Sequence, residues 1–261
     1  MSDTPFLAPD HPDLVWFTGS DHLQFLNDII SQELGDMESG DTRRSFLLEA
    51  QGKLAFLLWV IREEARVGLV TDSGRGQELA TALGRYRIRV DVEIEAEPQD
   101  VWIVVGDWDG HDISWPGVER HLVVGERPGL EVGSTADYER LRVLAGEPRW
   151  GVDVDDATIP HESGLVPASV DFTKGCFLGQ ELVARIDSRG GNTPRNLRLL
   201  ETEGDLRPGE AVSIDGVDVG KVTSATSGAA LAMLKRSVSV GDHVTVDGTR
   251  AQVRDLPAKT G

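Results

Sequence analysis

The densest run of chemistry-bearing residue types in the 261-residue chain is Phe172-Thr173-Lys174-Gly175-Cys176-Phe177-Leu178-Gly179-Gln180-Glu181. Cys176 is the only cysteine, so the chain by itself can build no disulfide, no all-cysteine zinc site and no self-contained iron–sulfur cluster. Any thiol chemistry belongs to one sulfur. Leu182, Val183 and Ile186 continue the run as a helical pattern. A helix beginning near Leu178 or Gly179 would set the thiol just outside its N-terminus, where free N–H groups and the dipole favour an anion. Lys174, two residues away, would add to that effect, and the pair predicts a lowered thiol pKa. The opposing reading is a small buried apolar residue, which Phe177 and Leu178 would suit.

Between Lys174 and Arg198 the basic residues Lys174, Arg185, Arg189, Arg195 and Arg198 face only Glu181 and Asp187, a local charge of +3 within a chain of −18. Such a reversal suits an anion-binding face. Salt bridging to acidic neighbours is the other explanation. Arg189-Gly190-Gly191-Asn192 reads as a flexible loop, and Arg85, Arg87 and Arg89 as one solvated face of a strand edge. Gly74-Arg75-Gly76 lacks the third glycine of a dinucleotide fingerprint, and there is no Walker A sequence, no HExxH pair and no G-x-S-x-G elbow. Nucleotide-loop, zinc-peptidase and serine-hydrolase chemistry fall away.

The whole chain carries 44 acidic and 26 basic side chains, which repel phosphate backbones and anionic lipid and argue against a nucleic-acid partner. The longest apolar run, Leu54 to Ile61, is far short of the roughly 20 residues that span a bilayer. The N-terminus has no basic-then-apolar secretory pattern. These features lead to the expectation of a soluble, cytoplasmic protein of about one or two domains.

The elements that must position the motif read as follows. Leu23, Leu26, Ile30 and Leu34 fall at helical spacing over Asp21 to Leu34, with Asp21 and Gln24 as a capping box. Arg43 to Arg62 reads as a hairpin turning at Ala50-Gln51-Gly52-Lys53. Val67 to Thr71, Asp91 to Ala96, Val101 to Val105 and Leu122 to Val124 carry strand signals; Gly74 to Tyr86 and the segment capped by Ser134 and ended at Gly146 carry helical ones. In the last sixty-odd residues Gly209-Glu210-Ala211-Val212-Ser213-Ile214-Asp215-Gly216 is repeated as Gly241-Asp242-His243-Val244-Thr245-Val246-Asp247-Gly248. Each copy ends in Asp-Gly, the pair that favours a type I′ hairpin, and the region predicts a small β-barrel or sandwich beginning near Pro194 and the strand Leu197 to Leu200.

FTKGCFLGQELVAR resembles the Lys-Gly-Cys-aromatic-x-Gly-Gln-Glu signature of the YgfZ family, folate-binding relatives of the glycine-cleavage T-protein, an aminomethyltransferase. Phe25-Leu26 with Ser31-Gln32-Glu33, the Gln51-Gly52-Lys53 turn, and Tyr138 to Gly151 followed by Pro160-His161-Glu162 resemble further stretches of that family, so the likeness runs along nearly the whole chain. It implies an α+β fold of two intertwined lobes around a central cleft over residues 1–195, with a small C-terminal β-barrel over 196–261. It implies Cys176 and Lys174 as catalytic residues. Lys174, Gln180, Glu181 and Arg185, with Gly179 among them, would hold tetrahydrofolate, and no metal is bound. The implied role is a folate-binding accessory protein for iron–sulfur cluster assembly or repair, serving iron–sulfur proteins such as tRNA-methylthiolating enzymes, with assembly factors as partners. A tetrahydrofolate-dependent aminomethyltransferase and a non-catalytic interaction module are the alternatives. Leu144 stands where T-protein relatives carry a pterin-holding glutamate, and leucine cannot accept from pterin N–H groups.

Overall fold

The computed structural model describes residues 4–257. By contacts the described residues divide into two compact units, one built from residues 4–114, 119–133 and 167–182, the other from 115–118, 134–166 and 183–257. The chain thus leaves and re-enters each unit more than once.

In chain order the first unit holds β1 (Phe6–Leu7), β2 (Asp13–Thr18), α1 (His22–Asn27), β3 (Thr42–Leu48), β4 (Leu54–Arg62), β5 (Val67–Thr71), α2 (Gly76–Gly84), β6 (Glu93–Glu95), β7 (Val101–Val105), β8 (His111–Asp112) and β9 (Arg120–Val124). One sheet has the order β3-β4-β5-β2-β6 and another β1-β7-β9-β8, with antiparallel neighbours throughout. The expected hairpin is β3–β4, paired from Thr42↔Ile61 to Leu48↔Leu54. Its side chains join Val15 and Phe17 of β2, Leu69 of β5, Leu79 and Leu83 of α2, and Phe25, Leu26, Ile30 and Leu34 in one apolar core.

Two local expectations differ. The α1 helix ends at Asn27 instead of running to Leu34, yet Leu26, Ile30 and Leu34 are all fully buried. The spacing therefore reported burial, while the backbone after Asn27 is drawn off by other donors. The capping box is also absent: Asp21 makes no cap bond, and its carboxylate accepts from the Asp91 N–H while Gln24 donates to Asp28. Arg85, Arg87 and Arg89 are exposed as expected, but on the turn that follows α2 and not on a strand; Tyr86, expected to complete the apolar face of that helix, is exposed as well.

The second unit contains α3 (Thr135–Leu144), a 3₁₀ turn (Pro160–Ser163) and the strands β10 (Arg195–Thr202), β11 (Ala211–Ile214), β12 (Val217–Thr226), β13 (Ala229–Lys235), β14 (His243–Val246) and β15 (Thr249–Arg254). Two short helices, α4 (Val166–Ser169) and α5 (Gln180–Asp187), lie where the chain passes between units. Ser134 caps α3 as its sequence requires, its hydroxyl accepting the Asp137 N–H at 3.0 Å. The six strands close into a barrel in the order β10-β13-β12-β11-β14-β15, filled by Leu200, Val212, Val222, Leu234, Val244 and Val253. The two Asp-Gly pairs turn as expected: Asp215 and Asp247 have φ of 50° and 42°, followed by glycines at 77° and 80°.

Arg142 of α3 is anchored by a buried polar network. It donates to Asp153 at 2.7 Å, Ser224 at 2.7 Å, Glu139 at 2.8 Å and the Glu147 carbonyl at 2.6 Å. Asp153 also accepts from the Thr223 and Ser224 hydroxyls and from the Arg149 N–H. Breaking a buried pair from one side strands the other charge. Asp153→Ala is expected to cost about 3–5 kcal/mol, measured by denaturant unfolding of the full chain.

Candidate functional site

The cysteine motif lies in the first unit, on the loop between α4 and α5. The loop opens at Asp171. That carboxylate accepts from the Thr173 N–H and hydroxyl, both at 2.6 Å, and from the Lys174 N–H at 3.2 Å, a local turn that Asp followed two residues later by Thr encodes. These bonds, the Thr173 hydroxyl first, hold the Asp171 carboxyl below the usual carboxylate range.

Lys174 then turns inward. Its ammonium donates to the carbonyl of Asn27 at 2.6 Å, of Ile30 at 2.8 Å and of Gln32 at 2.8 Å, using all three of its N–H groups. Further along, the Leu178 N–H donates to the Ile29 carbonyl at 3.3 Å, and before the motif the Asp171 N–H donates to the Ser31 carbonyl at 3.0 Å. This is why α1 stops: the carbonyls following it are taken by residues 171–178 and not by a continuing helix. Ser31 itself is fully buried, its hydroxyl donating to the Ser169 carbonyl and accepting the Phe46 N–H of β3.

The far side of the loop is seated on the β3–β4 turn by two glycines in left-handed conformation. A Cβ on Gly179 (φ 75°) would lie 2.5 Å from the Glu49 carbonyl oxygen, and one on Gly52 (φ 80°) would lie 2.8 Å from the Gly179 oxygen and 2.6 Å from Leu182 Cβ. Helix α5 begins at Gln180, one or two residues later than the sequence suggests, and Gln180 Oε1 accepts the Phe177 N–H at 3.1 Å, half of a capping box.

Between these anchors Cys176 is exposed, so the buried-hydrophobe reading of this thiol does not hold; Phe177 takes that part and is buried. Lys174 is directed to backbone carbonyls. Glu181 and Arg185 are exposed on α5, four residues apart. Of the other expected cations, Arg195 pairs with the buried Glu162 at 3.2 Å and Arg198 with Asp255 at 3.4 Å, which is the salt-bridging explanation of the local charge reversal. A cavity of about 450 Å³ in the second unit, lined by Asp153, Arg195, Lys221 and Lys235 among others, includes none of the motif residues. Of the set named from the motif for tetrahydrofolate, Glu181 and Arg185 are exposed, while Lys174 and Gln180 make bonds within the protein. The Lys174 N–H groups are spent, the Gln180 carbonyl is committed, and Leu144 offers no acceptor. Sequence reasoning did not foresee the acceptors of Lys174, because backbone carbonyls have no residue-type signature; the Asp171-x-Thr173 turn was readable and was missed.

Residues 195–258 match the family described as CAF17, C-terminal beta-barrel domain. The C-terminal module is thus similar to the barrel of that family. A homolog of the mitochondrial iron–sulfur cluster assembly factor IBA57 from Cryptococcus neoformans is 39% identical over 101 residues, which is 36% of this chain and 27% of that protein's length. Human mitochondrial IBA57 is 28% identical, covering 83% of this chain and 73% of the human protein. The solved aminomethyltransferase T of the glycine cleavage system from Bartonella henselae superposes with a TM-score of 0.84 at 19% identity, covering 97% of this chain and 86% of that one; at that identity the likeness establishes the fold. The expected α+β fold of this type with a closed C-terminal barrel is therefore observed, and the relatives bear the IBA57 name where the motif suggested YgfZ. The cytoplasmic expectation is corrected, since these IBA57 relatives are named as mitochondrial. Net charge and the length of apolar runs report solubility, and an organellar protein needs the same surface. Among the described residues no helix is long and apolar enough to cross a membrane.

Burial pushes the Lys174 ammonium down to about 8, against the opposing pull of Glu33, Asp171 and Asp28. The unfolded chain therefore binds the extra proton between about pH 8 and the ordinary lysine value of 10.5, and this group's contribution to stability rises with pH through that window. The ¹³Cε resonance of Lys174 is expected to titrate near pH 8, and wild type should gain stability relative to Lys174→Met from pH 8 to 10.5. Gly179→Ala is expected to destabilise by about 1–3 kcal/mol from backbone strain alone, with the Glu49 clash adding to it, read as a lower thermal midpoint.

Proposed function

We propose that this protein is an accessory factor in iron–sulfur cluster assembly or repair, and that Cys176 is the group that meets the cluster. The observation that carries the reading is the exposed, solitary thiol held on an internally bonded loop, in a chain whose relatives are named as iron–sulfur cluster assembly factors. The cluster is cargo. One thiolate supplies a single iron ligand, so the remaining ligands come from a partner protein and the contact is shared or transient. The surrounding residues hold the sulfur outward and leave its approach open: Cys176 is exposed and a Cβ at Gly175 would meet nothing within 4 Å. Clusters of enzymes that methylthiolate tRNA fit as downstream clients under the YgfZ resemblance.

The aminomethyltransferase alternative is favoured by the fold likeness to the T-protein alone. It requires tetrahydrofolate to be held and oriented, and Lys174, whose N–H groups go to backbone carbonyls, offers that task no donor. Calorimetry reads directly whether tetrahydrofolate binds through other residues.

Cys176→Ser is expected to leave the protein folded and abundant, and to reduce iron–sulfur enzyme activity in cells to the level seen without the protein. Methylene transfer from a lipoyl carrier that is robust and survives Cys176→Ala would overturn the reading in favour of the transferase.

A further inference from the structure

We infer that Lys174 is the positioning residue for Cys176: its ammonium staples the amino side of the thiol loop to the carbonyls of Asn27, Ile30 and Gln32, and so holds the sulfur outward. Three features support this. All three Nζ donors are engaged at 2.6–2.8 Å with acceptors drawn from three different peptide groups, an arrangement that fixes the side chain in direction as well as in place. The carboxyl side of the loop is tied by different means, the Leu178 N–H to Ile29 and the Phe177 N–H to Gln180, so Cys176 sits between two independent anchors, both reaching the same framework. A Cβ at Gly175, between Lys174 and Cys176, would meet nothing within 4 Å, so no side-chain packing at that position shares the task with Lys174.

The role differs from the one expected of a cation beside a thiol. The charge of Lys174 is directed to oxygens of the chain interior, and it acts on Cys176 through the backbone. A methionine of similar length would fill the same space and leave three carbonyls without their donors. An arginine would keep charge and donors in a different shape. The inference concerns the loop in the isolated protein and is measured without any cluster, so it stands or falls separately from the assembly role.

The test uses the single cysteine. A methanethiosulfonate spin label attaches only at Cys176, and its line shape reports the motion of the loop. Lys174→Met is expected to narrow the lines and to speed amide exchange at Leu178 by about tenfold or more, the change for losing a charge-assisted hydrogen bond. Lys174→Arg is expected to recover most of the wild-type line shape. A Met variant whose spectrum and exchange superpose on wild type overturns the inference, as does an Arg variant as mobile as Met. Should the Met variant fail to fold, wild-type exchange decides: Phe177 and Leu178 amides exchanging at the rate of unstructured peptide overturn the staple, and protected amides together with a wild-type-like Arg spectrum support it.

Discussion

The constraint on which the candidate site depends is the need to pair backbone carbonyls where a helix stops short. Five of them, at Asn27, Ile29, Ile30, Ser31 and Gln32, receive donors from the segment between Asp171 and Leu178. A buried carbonyl without a donor costs on the order of 1–3 kcal/mol, so neither segment has a low-energy form without the other. Residues some 140 positions apart in sequence are thereby made one structural unit, and Cys176 is carried on the donor segment of that pairing. The site is thus a by-product of backbone bookkeeping in the first unit and needs no dense polar pocket around the sulfur.

The second unit solves its own problem differently. There a buried guanidinium, Arg142, and a buried carboxylate, Asp153, saturate each other together with Ser224 and Thr223 of β12, while the barrel core is apolar throughout. Such a network is costly to break from one side and contributes to holding α3 and the 149–153 turn in one arrangement against the barrel strands.

Much of this was legible in the sequence, for identifiable reasons. The Asp215-Gly216 and Asp247-Gly248 turns were readable because their left-handed backbone has a residue-type signature, and the β3–β4 hairpin because the apolar runs Phe46 to Leu48 and Leu54 to Ile61 flank a polar turn with a glycine. Cys176 stood out through its company of Lys, paired Gly and Gln. What escaped was direction. Lys174 was identified by its charge, but charge does not say whether an ammonium faces a ligand, a thiolate or the peptide backbone. The length of α1 escaped for a related reason: Leu26, Ile30 and Leu34 are buried on the expected face although the chain joining them is not helical, since the apolar periodicity measures where side chains go and not which carbonyls their backbone bonds.

An outward-facing sulfur with no companion in its own chain has a kinetic corollary. A protein with two neighbouring thiols closes a disulfide internally, at a rate independent of its concentration. Here any oxidative coupling must recruit a second molecule, whether another copy, a small thiol or a client protein. The oxidation state of Cys176 is therefore governed by encounter, and by whatever surface the incoming molecule presents to the open backbone at Gly175.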